Sequence, residues 1–198
     1  MGQAKKHRNR ELPEAITPLL EPLAALQRVL NHYENFGLII GGIAASLLGR
    51  PRFTADLDAV ILLSIDELPG LIATCSNEGL TPRFSEAETF ARKHRVLLLQ
   101  HDSSKINVDI SLGILPFETE MVDRGQAITV GGIQARLPTP EDLIIMKAIA
   151  HRPKDLSDIS SIAAVHPNLD KERIRVWVEE FGEVLNNPGL WKEVEHLL

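Results

Sequence analysis

Between residues 38 and 64 the chain reads LIIGGIAASLLGRPRFTADLDAVILLS. One apolar run ends in Gly41-Gly42, a second in Gly49 and an arginine-bearing turn, and a third opens with Asp56-Leu57-Asp58. Few folds accommodate that order. Leu38 to Ile40 has the length of a short strand, and residues 43–49 form a short helix stopped by glycine. Residues 56–64 read as a strand whose far half is apolar on both faces, which places it in the middle of a sheet. Its near end carries two carboxylates. Being i and i+2 on a strand, Asp56 and Asp58 leave the same face, about 7 Å apart along the chain.

The remaining segments supply the surroundings. Leu19, Leu23, Leu26 and Leu30 follow helical spacing between Pro13 and Asn35, with the steadier helix after Pro22 and a stop at Gly37. The stretch from Asp66 to Leu80 reads as a helix, and 86–95 as a polar helix or loop. VLLLQHD and INVDISLG are two strands joined at Ser103-Ser104-Lys105. In the second, Ile106, Val108 and Ile110 face one way, and Asn107, Asp109 and Ser111 the other. A further hairpin turns at Gly131-Gly132. From Thr139 onward the pattern is helical: Thr139 is the expected N-cap, with Pro140 at the first helical position. Helices follow at about 153–165, 170–182 and 188–197. The expected fold class is α+β: a small mixed β-sheet flanked by helices, with a helical C-terminal part. Its expected divisions are a flexible basic tail (1–12), an α/β core (13–138) and a helical region (139–198).

Charge and cysteine content narrow the setting. Lys5, Lys6, Arg8 and Arg10 make the start basic, which leaves 17 basic against 27 acidic residues in the remainder, a body of net charge −10. Such a body does not suit a protein coated for duplex DNA. A single cysteine, Cys75, rules out an internal disulfide and suits a reducing cytoplasm. No window approaches the ~18 apolar residues of a membrane span.

The carboxylates point to metal chemistry. Two like charges on one strand face repel unless something positive stands beside them. Hard oxygen donors of this kind suit Mg²⁺ or Mn²⁺. Were the strand bearing Asp109 to neighbour 56–64, three carboxylates would converge, enough to share two metals and clamp a displacement at phosphorus. Gly41 and Gly42, between strand and helix, let backbone amides approach an anion closely. The lone GxGxxG pattern of dinucleotide folds is absent, and no Cys/His spacing suggests zinc.

With those residues in place, GGIAASLLGRPRFTADLD resembles the signature of the nucleotidyltransferase superfamily with the DNA polymerase beta fold: Gly followed by Gly or Ser, a spacer, then Asp-x-Asp. Gly42 stands where many members carry Ser, which removes a hydroxyl that could hold a phosphate. Asp109 matches the third carboxylate. LPTPEDLIIMKAIAHRPKDLSDISSI is similar to the C-terminal motif of AbiE-type toxin nucleotidyltransferases, with Lys147 preceding Lys154-Asp155-Leu156-Ser157-Asp158-Ile159. The resemblance implies transfer of a nucleoside monophosphate from an NTP, with Mg²⁺, to RNA or tRNA, protein or a small molecule. It implies metal binding by Asp56, Asp58 and Asp109, phosphate contacts from Gly41 and Gly42, and charge compensation by Lys147. Arg50 and Arg52 are candidates for the triphosphate or the acceptor, or are a charged loop. Asp155 and Asp158 are either helix-start acids favoured by the macrodipole or partners of Lys147. A toxin-like role with a cognate antitoxin follows by the same resemblance. The rival readings are a non-catalytic binding partner on the same fold and an antibiotic-modifying transferase.

Overall fold

The computed structural model describes residues 14–198, so the basic tail lies outside the described residues. A 3-10 turn, Glu14–Leu19, holds Pro18 and leads into α1 (Leu20–His32). Pro22 sits in the first turn of α1, where its missing N–H leaves no helical bond unmade. The strand β1 (Gly37–Ile40) runs directly into α2 (Gly41–Leu48), and β2 (Asp56–Ile61) follows the arginine-bearing turn. A capping box at Ser64 and Glu67 starts a 3-10 turn before α3 (Leu68–Asn77). Then come β3 (Leu80–Pro82), α4 (Ala87–His94), β4 (Val96–His101) and β5 (Asn107–Leu112).

Five strands form one sheet in the order β1-β2-β5-β4-β3. Only the β2–β5 pair is parallel; the other three ladders are antiparallel. Strand β2 therefore has neighbours on both sides, as its apolar far half requires, and Ala59, Val60 and Ile61 are buried. On β4 and β5 burial alternates residue by residue, leaving one face closed by Leu97, Leu99, Val108 and Ile110. The opposite face carries Leu98, Asp109 and Ser111 and is more open.

The chain continues through α5 (Pro116–Asp123) and a separate hairpin, β6 (Gln126–Val130) and β7 (Ile133–Leu137), which turns on Gly131 and Gly132, both with positive φ. Helices α6 (Pro140–Ala150), α7 (Pro153–Ala163), α8 (Lys171–Val184) and α9 (Leu190–Val194) complete it. The Thr139 hydroxyl accepts from the Asp142 amide at the start of α6, the cap expected there. Asp142 is fully buried at the junction of three helices: it accepts from Arg124 at 3.1 Å, from Arg173 at 2.8 Å and from the Thr139 hydroxyl at 3.0 Å. Three donors thus converge on its carboxylate and hold α6 against α8 and the end of α5.

Three elements differ from the sequence-based expectation. Helix α1 ends at His32, so that Gly37 opens β1 and does not stop the helix. Strand β3 is three residues long, too short to show alternation, and the helix expected to run to Leu80 stops at Asn77. Helix α5 was not expected from the pattern of 114–123. Its start is fixed by Pro116 and by Glu118, whose carboxylate accepts from the amides of Ile114 and Leu115. Among the described residues no helix is long and apolar enough to cross a membrane.

Candidate active site

The parallel β2–β5 ladder sets Asp58 opposite Asp109 and Asp56 opposite Asn107. Register partners share a face, and adjacent strands lie about 4.8 Å apart, so Asp58 and Asp109 are near neighbours on the open side of the sheet. Burial pushes the Asp58 carboxyl above its ordinary range, and the like charge of Asp56 pushes it further; Lys147 and the Gly42 amide pull the other way. The Asp109 carboxyl is raised as well, first by burial, with Arg83 opposing and Asp58 and Asp56 adding to the rise. The acids thus feel one another, as a shared site requires.

Gly41 and Gly42 serve this carboxylate directly. Gly41 has φ +68°, and a Cβ there would fall inside the Asp58 carboxylate. Only a residue without a side chain lets the strand-to-helix turn close over Asp58. The Gly42 amide hydrogen-bonds the same carboxylate. A Cβ on Gly42 would collide with the Thr54 hydroxyl. The space a serine would need is therefore already filled by a hydroxyl from the turn before β2.

Lys147 is buried on α6, and its Nζ lies 2.9 Å from both Asp155 and Asp158 on α7. Arg52 forks onto Asp158 with two bonds of 2.7 Å, and Arg152 donates to Asp155 at 2.6 Å. Burial alone would raise both carboxyls. Hydrogen bonds from Arg152 and Lys147 outweigh it at Asp155, those from Arg52 and Lys147 at Asp158, and both sit below the usual range. Both acids pair with Lys147, and Asp155 is in addition the helix-start acid of α7, accepting from the Arg152 backbone amide at 3.3 Å. Arg52 is drawn into this cluster through Asp158, and its Nη1 donates to the Phe53 carbonyl at 3.2 Å. Arg50 is exposed; its backbone amide donates to the Ser161 hydroxyl at 2.7 Å.

Two hollows adjoin the cluster. One of about 160 Å³ is lined by Gly41, Asp58, Ser111, Lys147, Arg152 and Asp155, and so connects the β2 carboxylate with the α6–α7 charges. The other, about 390 Å³, lies between Arg50, Arg52 and the serines of α7, Ser157, Ser160 and Ser161.

The sequence reading missed Arg83. It follows β3 and donates through Nη2 to Asp109 Oδ1. Nothing in Thr81-Pro82-Arg83-Phe84 marks it, because the pairing depends on a strand too short to recognise. Among the described residues no three His, Cys, Asp or Glu side chains stand as a ready metal-binding group. The donor set nevertheless suits a hard divalent cation. Asp58 and Asp109 are adjacent oxygen donors, and Asp56 lies two residues from Asp58 on the same face.

Solved structures of low sequence identity share this fold. An antigenic nucleotidyltransferase-like protein from Paracoccidioides brasiliensis superposes with a TM-score of 0.53 at 16% identity, over 90% of this chain and 93% of that one. The antibiotic-resistance factor ANT(2'')-Ia gives 0.57 at 16% identity, over 92% and 99%. The lincomycin-bound lincosamide antibiotic adenylyltransferase LnuA gives 0.50 at 12% identity, over 79% and 99%. No curated protein matches the sequence. Residues 15–188 match the family described as "Nucleotidyltransferase of unknown function (DUF6036)", and with that match spanning most of its length the chain belongs to this nucleotidyltransferase family.

Proposed function

We propose that the protein transfers a nucleoside monophosphate from an NTP to an acceptor in the presence of Mg²⁺ or Mn²⁺. The observation that carries this reading is the placement of Asp58 beside Asp109 across β2–β5, under the Gly41-Gly42 turn. Asp56, Asp58 and Asp109 would hold the cation, which when bound offsets charge on the triphosphate and leaving group. Asp109, on the strand next to the Asp56–Asp58 pair, accepts the proton of the attacking hydroxyl. Gly41 shapes the turn and Gly42 fixes Asp58, so the backbone around them is where the phosphates approach. Lys147, held by Asp155, borders the same hollow as Asp58 and adds positive potential there. In this reading residues 13–138 supply the carboxylates and 139–198 the lysine.

The acceptor is RNA or tRNA, protein or a small molecule. The shared fold of ANT(2'')-Ia and LnuA supports the small-molecule branch. The Lys147 and Lys154-to-Ile159 pattern supports a toxin-like role in the cytoplasm, with a cognate antitoxin. The test is incubation with each labelled NTP, divalent cation, and cellular RNA, lysate protein or aminoglycosides in turn. Label transfer that survives in Asp56→Ala/Asp58→Ala removes this mechanism.

One observation favours a second reading, in which the fold is kept for binding without catalysis: Asp109 is neutralised by Arg83 and no three-acid group is ready-made among the described residues. Calorimetry showing neither NTP nor Mg²⁺ binding, together with a tight protein partner, would select it.

A further inference from the structure

Across the sheet one row of residues runs Ile40, Asp58, Asp109, Leu98, each the register partner of the next. Arg83 extends that row. Pro82 pairs with Leu99, and the Arg83 amide donates to the Leu98 carbonyl at 3.1 Å, so Arg83 stands level with Leu98 on the far edge. The Arg83 and Asp109 side chains together span the two strand spacings, about 10 Å, between their backbones. The guanidinium arrives only partly satisfied. Nη2 donates to Asp109 Oδ1, while Nε is buried and has no acceptor. An arginine whose purpose was to neutralise an acid would present its fork to both oxygens, as Arg52 does to Asp158. Here a charged donor is held over the most acidic point of the open face with one strong donor unused, which is costly unless an acceptor arrives.

From this geometry we propose that Arg83 is a displaceable counter-ion of Asp109. It holds the carboxylate while the site is without a divalent cation. When cation and nucleotide enter together, it turns its unused donors onto the nucleotide's phosphates. The inference rests on the metal-and-nucleotide reading above and deepens it: Arg83 makes cation binding depend on the nucleotide. A cation alone must displace a paired arginine, whereas a cation that arrives with a triphosphate gives the guanidinium a new anion. Coupling of this kind is reciprocal, so each ligand raises the affinity of the other. Arg83 thus acts through Asp109 before the ligands arrive and directly on the phosphates once they are bound.

The test is titration calorimetry of the full chain with Mn²⁺, alone and with each non-hydrolysable α,β-methylene nucleoside triphosphate, on the wild type, Arg83→Gln, Arg83→Lys and Asp58→Asn. Arg83→Gln is expected to bind Mn²⁺ alone roughly fivefold more tightly, the upper range for release of a partly exposed ion pair. The same variant should bind the analogue with Mn²⁺ about tenfold more weakly, since a charged donor to phosphate is lost. Its two-ligand coupling should fall toward none, and Arg83→Lys should recover part of it. If wild type and Arg83→Gln bind Mn²⁺ equally while Asp58→Asn does not bind it, the cation site stands and the role given to Arg83 is overturned. A lowered melting temperature with unchanged Mn²⁺ affinity would reduce Arg83 to a staple of β3 and overturn it as well. Absence of Mn²⁺ binding in every protein would overturn the metal reading, and this inference with it.

Discussion

Lys147 on α6 sits 2.9 Å from Asp155 and 2.9 Å from Asp158, two buried acids one turn apart on α7. An ammonium in that position is enclosed by charge of the opposite sign, and its removal leaves two buried carboxylates short of a partner. Loss of one member of a buried pair costs about 3–5 kcal/mol. Arg52 and Arg152 remain on the outer sides of the same acids, so Lys147→Met should cost less, roughly 2–4 kcal/mol. Chemical denaturation measures this directly. A cost below about 0.5 kcal/mol, the range of ordinary surface changes, would show that the cluster does not hold α6 to α7.

The same acids set an acid limit on stability. Both carboxyls are held below the usual range in the folded state, so the folded chain binds fewer protons than the unfolded one. Their stabilisation is complete above the ordinary aspartate value of about 3.9 and disappears as pH falls through the depressed folded values. Asp158→Asn should be less stable than wild type at pH 7 and should lose less on acidification below about pH 4. Parallel stability curves for the two proteins between pH 7 and pH 3 would refute the assignment.

Much of the site was legible in the sequence because its signals are local. The i, i+2 spacing of Asp56 and Asp58 follows from strand geometry alone, and the alternation of Ile106, Val108 and Ile110 fixed the face of Asp109. The neighbouring placement of β2 and β5 was stated as a condition, and the sheet order meets it. What stayed hidden is non-local. Arg52 and Asp158 are 106 residues apart and Arg83 and Asp109 are 26 apart; no periodicity links them. Arg52 was legible as a charged turn residue, yet its partner depends on how α7 packs against that turn. Strand β3 escaped because three residues cannot display an alternation, and Arg83 escaped with it.

Thr54 fills the space beside Gly42, and this has a measurable consequence. Gly42→Ser should be destabilising by about 1–3 kcal/mol, the usual cost of overfilling a packed site, since its Cβ would meet the Thr54 hydroxyl and Cβ. Thr54→Gly clears both atoms. The Gly42→Ser/Thr54→Gly double variant should recover most of the loss, giving a coupling of at least about 1 kcal/mol in a double-mutant cycle. Additive effects would mean that the turn can move Thr54 aside and that glycine at this position has another cause.

Asp58 separates stability from function. Burial first, and then the charge of Asp56, raise its carboxyl, so the ionised form opposes folding. Asparagine keeps the shape and can still accept from the Gly42 amide. Without divalent cation, Asp58→Asn should therefore be as stable as wild type or more so at neutral pH. A gain of about 1 kcal/mol would appear as roughly 2–4 °C in melting temperature for a chain of this size. The sign of its pH dependence follows from the raised value. Asparagine's advantage is full above the folded-state value of Asp58 and shrinks to nothing as pH falls below about 4, where the carboxyl becomes protonated in both folded and unfolded chains. Addition of Mn²⁺ should raise the melting temperature of wild type by mass action and leave Asp58→Asn unmoved. Nucleotide transfer should fall to background in the variant. A variant clearly less stable than wild type in the absence of cation would make the Asp58 charge structural, and the strain this account places on that carboxylate would have to be abandoned.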